Sequence, residues 1–159
     1  MERPADGRPA RIWVDADACP QVVKEILFRA ADRAQVVTTL VANTPLRTPP
    51  SPFIKTMRVR PGFNVADHWI VQQVQPGDLV ITADIPLAAE VITRGAHALD
   101  PRGELYSEDN VRDRLAIRNL MQDLRSTGDI LGGPAPFAPA DRQRFANHLD
   151  RFLTRRRET

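Results

Sequence analysis

The stretch IWVDADACP, residues 12–20, ends a short apolar run in two aspartates, Asp15 and Asp17, followed by a proline. A second stretch, LVITADIP at 79–86, repeats the pattern: an apolar run, then Thr82-Ala83-Asp84, then a proline. Between them FNVADHWIV, 63–71, carries Asp67 three residues after Asn64. Carboxylates brought together can share a proton, and so do acid–base work, or can hold a hard divalent cation through oxygen. Two of them ~4 Å apart repel by roughly 4 kcal/mol at an effective dielectric near 20, so a proton or a cation must sit between them. Hard oxygen donors suit Mg²⁺ or Mn²⁺. Each aspartate also has a plainer explanation. Asp17 and Asp84 stand where helix N-caps would stand, and Asp67 falls in the first turn of a helix, at the positive end of its dipole. Asp15 is less easily explained that way, because it is the last residue of its strand and lies earlier than a cap would.

The elements that must position these groups follow from hydrophobic periodicity. RIWVD (11–15) reads as a strand covered on both faces. From Pro20 the apolar positions Val22, Val23, Ile26, Leu27, Ala30 and Ala31 recur at helical spacing. VVTTLVA (36–42) is β-branched and strand-like, NTPLRTPPSP (43–52) is a proline-rich loop, and FIKTMRV (53–59) is a strand. Asn64 then caps a helix with Val65, Trp69, Ile70 and Val74 on it. DLVITA (78–83) is a strand, IPLAAEVITR a helix, and AHAL (96–99) a last strand. A helix from Ser107, with Val111, Leu115, Leu120 and Leu124 spaced for one face, leads through GDILGGPAP to a final helix from Asp141. Alternating strands and helices over the first hundred residues predict a parallel, three-layer α/β sheet. Ligands of such sheets bind beyond the carboxyl ends of the strands, where Asp15, Asp17 and Asp84 fall.

IWVDADACP, FNVADHWIV, LVITADIPLA and the later DPRGELY together resemble the YaiI/YqxD family of bacterial proteins. The resemblance runs from Arg11 to about Phe152 and implies a fold similar to PIN-domain nucleases. That is a PIN-like α/β domain at 11–152, three-layered with a central, mostly parallel sheet and additional C-terminal helices. Residues 1–10 would then be a flexible leader and 153–159 a frayed basic tail. PIN domains hold acidic residues after the first strand, on a central helix and in a Thr-x-Asp turn after the fourth strand. The matching positions are Asp15, Asp67 and Thr82-Ala83-Asp84. The resemblance thus implies a divalent-metal site, Mg²⁺ or Mn²⁺ on Asp15, Asp67 and Asp84, and metal-dependent cleavage of RNA or DNA phosphodiester bonds. One departure is Pro86, where PIN sites often carry a further acid; Asp17 is the candidate to supply it. DADACP is also similar to the Asp-x-Asp motif of haloacid-dehalogenase-type phosphatases, with Asp15 as nucleophile, Asp17 as acid/base and Thr82 after a second strand. That family needs a lysine further along, and Lys24 and Lys55 both precede Thr82. A non-catalytic nucleic-acid or protein-binding module with a vestigial metal site is the third reading.

Composition sets the bounds. The chain of 159 residues has 42% hydrophobic and 26% charged residues, as a single folded domain does. Its net charge of +2 permits a nucleic-acid partner without requiring one. A lone cysteine, Cys19, allows no intrachain disulfide. MERPADGRPAR offers no signal-peptide core and no apolar run approaches ~18 residues, so a cytoplasmic protein with no membrane partner is expected. Asn43 to Gly62 carries Arg47, Lys55, Arg58 and Arg60 without an acid, a candidate guide for single-stranded RNA or DNA. His68, His97 and His148 have no ligand spacing and read as structural or surface groups.

Overall fold

The computed structural model describes residues 8–126 and 136–158. Strands β1 (Ile12–Asp15), β2 (Thr38–Ala42), β3 (Ile54–Arg58), β4 (Leu79–Ile81), β5 (His97–Leu99) and β6 (Leu105–Tyr106) form one sheet in the order β3-β2-β1-β4-β5-β6. All neighbours are parallel except β5 and β6. Helices α1 (Gln21–Ala34) and α5 (Pro139–Glu158) cover one face, and α2 (Val65–Gln73), α3 (Ile85–Thr93) and α4 (Glu108–Ser126) the other. This is the three-layer α/β architecture that the alternation of elements predicts.

Period-two alternation sorts the strand residues between two cores. Ile12, Val14, Leu40, Leu79 and Ile81 pack against Val23, Leu27 and Phe28 of α1 and Phe145, Leu149 and Phe152 of α5. Trp13, Val41, Val80 and Ala98 face Ile70 and Val71 of α2 and Leu87 and Val91 of α3. Strands β1 and β4 are inner strands clothed on both sides, and their side chains are buried up to the residue where each leaves the sheet.

The chain runs outward from β1 through β2 to β3, then crosses back to place β4 on the other side of β1. The switch point therefore lies between the carboxyl ends of β1 and β4. Helix α2 makes that return crossing, and Trp69 meets Trp13 of β1 edge to face, ring centroids 5.7 Å apart. The crossover is what carries Asp67 towards the switch point.

Several local expectations change. The final sheet strand is the two-residue β6, reached by a turn in which Gly103 takes φ +92. A Cβ there would collide with Arg144 and the backbone of α5, so the turn is closed tightly against that helix. On α4 only Val111 of the four expected apolar positions is buried; Leu120 is exposed. Helix α4 instead owes its start to Ser107 and Asn110, which cap reciprocally: Asn110 N–H donates to Ser107 Oγ at 3.1 Å and Ser107 N–H to Asn110 Oδ1 at 2.8 Å. Helix α5 begins at Pro139, with Asp141 reaching back to accept from Ala138 N–H at 2.9 Å, and continues to Glu158. Arg156 Nη2 donates to Ala34 O at 2.8 Å, docking the expected frayed end on the last turn of α1. At the other end Ala10 is already core. The GDILGGPAP break lies almost wholly outside the described residues.

Candidate metal centre

Asp15 is half-buried at the end of β1, and Thr82, 1% exposed just past β4, donates its hydroxyl to Asp15 Oδ2 at 3.0 Å. The same Thr82 Oγ1 accepts from Asp84 N–H at 2.9 Å. One buried hydroxyl thus fixes the Asp15 carboxylate and the Thr82-Ala83-Asp84 turn together, which explains the residue order. Asp84 is the N-cap of α3, with Oδ1 accepting from Leu87 N–H at 3.0 Å, and Pro86 lies in the first turn where no N–H is needed. The cap engages Oδ1.

Asp67, in the first turn of α2, comes within hydrogen-bonding reach of Asp84 and within electrostatic range of Asp15 and Glu90. Its carboxyl is pushed up to about 7 by burial, then by the charges of Asp84 and Asp15, by that hydrogen bond, and by Glu90. Asp15 is also raised, by burial above all and by the charges of Asp84 and Asp17, against the lowering bond from Thr82. Among the described residues no cation pairs with Asp15, Asp67 or Asp84. The structure therefore brings three of the expected carboxylates into one interacting group drawn from β1, α2 and the β4–α3 turn. Asn64 stands at the N-cap position but in a left-handed conformation, φ 62, without a capping side-chain bond.

Asp17 does not join them in the way expected. It lies in a 3-10 turn, Ala16–Ala18, and Pro20 holds the N-cap position of α1. Its Oδ2 accepts from Asn43 N–H at 2.9 Å and its Oδ1 from Thr44 Oγ1 at 3.4 Å. Asp17 thus ties the end of β1 to the end of β2, a contact between segments 26 residues apart that no local pattern reveals. The basic candidates divide too. Arg58 closes β3 at the same end of the sheet as Asp15, opposite Ala42, and Arg60 follows it. Lys55 sits three residues further down the strand, ~10 Å from Arg58 along it. Arg47 stands exposed on the loop between β2 and β3.

Two carboxylates were not singled out by sequence reasoning. Asp100 directly follows β5 at the same edge of the sheet; Arg102 N–H donates to it at 2.6 Å and Tyr106 Oη at 3.3 Å. Its position after AHAL was the available signal. Burial raises its carboxyl against those two lowering bonds. It adds negative charge near Cys19, whose thiol burial pushes up to about 12. Asp78, at the foot of β4, is fully buried and accepts from Arg8 Nη1 and Nη2, Arg11 N–H, Trp13 Nε1 and Gln75 N–H. Arg8, placed by sequence in a flexible leader, is held there at 2.8 Å.

The donor set fits a divalent cation in part. All its ligand atoms are hard oxygens, and the uncompensated charge is of the sign a cation would offset. Among the described residues, however, no three His, Cys, Asp or Glu side chains form a ready-made metal cage.

The fold and crest define an α/β protein with an acidic switch point. The family model described as "Uncharacterized BCR, YaiI/YqxD family" matches residues 13–155, and the chain belongs to that family. It is 64% identical over 145 residues to a UPF0178 protein of Hahella chejuensis, covering 91% of this chain and 97% of the relative. A UPF0178 protein of Aeromonas hydrophila is 67% identical over 144 residues, with 91% and 96% covered. No solved structure matches the chain. Among the described residues no helix is long and apolar enough to cross a membrane.

Proposed function

We propose that the carboxylates at the switch point make this chain a PIN-like, divalent-metal-dependent hydrolase of RNA or DNA phosphodiester bonds. The observation that carries the reading is the convergence of Asp15, Asp67 and Asp84 from three elements with no cation beside them among the described residues. Asp15 and Asp84, oriented by Thr82 and Leu87 N–H, would present oxygens to Mg²⁺ or Mn²⁺, with Asp67 completing the set. Such an ion, when bound, lowers the pKa of a coordinated water and offsets charge on the phosphoryl oxygens. Burial and the neighbouring charges push the Asp67 carboxyl up to about 7, and a bound cation would offset those charges and favour its carboxylate form. The position of Asp17 weakens the phosphatase alternative, because both its oxygens are engaged by the loop after β2. A cytoplasmic setting belongs to the same proposal.

The test is cleavage of labelled RNA and DNA strands with Mg²⁺ or Mn²⁺, beside EDTA and an Asp15→Asn control. Loss of cutting in both controls is expected. Cutting that survives in Asp15→Asn assigns the activity to another site or to a contaminant and sinks the proposal. Metal binding without cutting in the wild type would leave a binding module.

A further inference from the structure

Phe63 is 91% exposed, far more than any other large apolar side chain among the described residues. It stands on the short turn between β3 and α2, immediately after Gly62 and immediately before Asn64. Gly62 takes φ +147 and Asn64 φ +62, and a Cβ at Gly62 would already press on Val65 at 3.1 Å. The turn thus uses a glycine and a left-handed asparagine, two unusual backbone states in three residues, to carry an aromatic ring into solvent. Local folding supplies no reason for the ring to be there: it fills no core, and a polar residue would suit the turn better.

Along the chain, basic residues precede it and an acidic one follows. Arg58 and Arg60 precede it by five and three residues, and both are exposed and without an ion-pair partner among the described residues. Arg58 also lines a shallow cavity of about 240 Å³ with Thr44, Pro45, Leu46, Thr56 and Met57, near the end of β2. After the ring, Asn64 and Asp67 line a small cleft of about 70 Å³ with His68 and Glu90. A protein-docking surface calls for a large contiguous apolar patch, whereas Phe63 stands on a short turn that follows two exposed arginines in the chain. An exposed ring preceded within five residues by two exposed arginines offers a stacking face for a base and cations for its phosphates.

We infer that Phe63 is a stacking platform for an unpaired nucleobase, with Arg58 and Arg60 holding the adjoining phosphates, so that a single strand is led to the Asp67 cleft. The inference rests on the nucleic-acid reading of the acidic crest and adds to it a preference for unpaired strands, since a base in a duplex has no free face to offer. Stacking on an aromatic side chain accounts for about a tenfold change in affinity per base.

The experiment is fluorescence anisotropy in EDTA, where no cutting can interfere, with a labelled single strand of about ten nucleotides, its duplex, and a strand of equal length lacking bases. Phe63→Ala should weaken the base-bearing single strand about tenfold and leave the baseless strand unchanged, and Phe63→Tyr should restore affinity. Arg58→Ala with Arg60→Ala should weaken all three and lower the salt slope by about two phosphate contacts. Equal affinity of Phe63→Ala and wild type for the base-bearing strand, or an equal loss on the baseless one, overturns the platform. No salt-dependent binding of any strand overturns it too, and leaves Phe63 to a protein partner. A wild type that binds through Phe63 but never cuts with metal overturns only the hydrolase reading; one that cuts while Phe63→Ala binds normally overturns only the platform.

Discussion

Strand β4 has an aspartate at each end of its path, Asp78 at the foot and Asp84 beyond the crest, and their surroundings are opposite. Asp78 is completely buried, yet five hydrogen bonds meet its two oxygens and the Arg8 fork balances its charge. Asp84 is partly exposed, yet it accepts one backbone bond and shares its space with Asp67 and Asp15. Burial alone therefore does not mark a functional carboxylate. What separates the two ends is whether the fold itself supplies the compensating charge. At the foot it does, and the carboxylate pins the N-terminal segment, β1 and the α2–β4 turn together. At the crest it does not, and burial, reinforced by the neighbouring carboxylates, raises the carboxyls of Asp15 and Asp67.

The comparison breaks first at the foot. Asp78→Ala removes the buried carboxylate that accepts from the Arg8 guanidinium, Trp13 Nε1 and two backbone N–H groups, and should cost about 3–5 kcal/mol in denaturant unfolding. A loss below 1 kcal/mol would remove the distinction between the two ends.

At the crest the effect should be smaller and of the opposite sign. Asp84→Asn keeps a capping side chain and removes a repelling charge, so without metal it should stabilise the fold by about 1 kcal/mol. Millimolar Mn²⁺ should raise the wild-type melting temperature and move the variant much less. The pH profile sharpens the point. The Asp67 carboxyl is raised from 3.8 to about 7, so between those values the folded state holds the extra proton. Its stabilising contribution is complete below the unfolded pKa and is lost as pH rises through about 7, with Asp15 acting in the same direction. Allowing for solvent screening of a half-exposed group, that loss is about 1 kcal/mol, and Asp67→Asn should flatten it. An equal pH dependence of stability in wild type and Asp67→Asn, or a wild type indifferent to metal, would count against a shared site.

The smallest effect belongs to Asp17, which sits beside the crest but is spent on the β2 loop. Asp17→Ala should cost about 0.5–1 kcal/mol and leave the metal-induced shift intact. Loss of the metal shift in this variant would return Asp17 to the site and revive the Asp-x-Asp reading.

Much of this was legible before the fold. Asp15 and Asp84 could be placed at strand ends because buried parallel strands read as short apolar runs, and Asp67 in a first helical turn because Val65, Trp69 and Ile70 keep helical spacing. Local rules reach that far because they depend on neighbours within a turn or two. They fail for Asp17, whose partners follow another strand, and for Asp78, which reads only as the first residue of the strand DLVITA. Lys55 and Arg58 likewise read as one basic run, although a strand separates residues three apart by ~10 Å.

The sequence by itself determined the alternation of elements, the two-sided burial of β1 and β4, the cap of α3 and the strand-end positions of two aspartates. Each is set by periodicity or by backbone groups that need a partner nearby. Only the tertiary structure decided that β4 lies beside β1, that α2 crosses back to bring Asp67 to the pair, and that Arg8 closes over Asp78, 70 residues away. Those outcomes depend on strand order and on charges meeting across the sheet, and the pairing of distant groups is written in no local pattern.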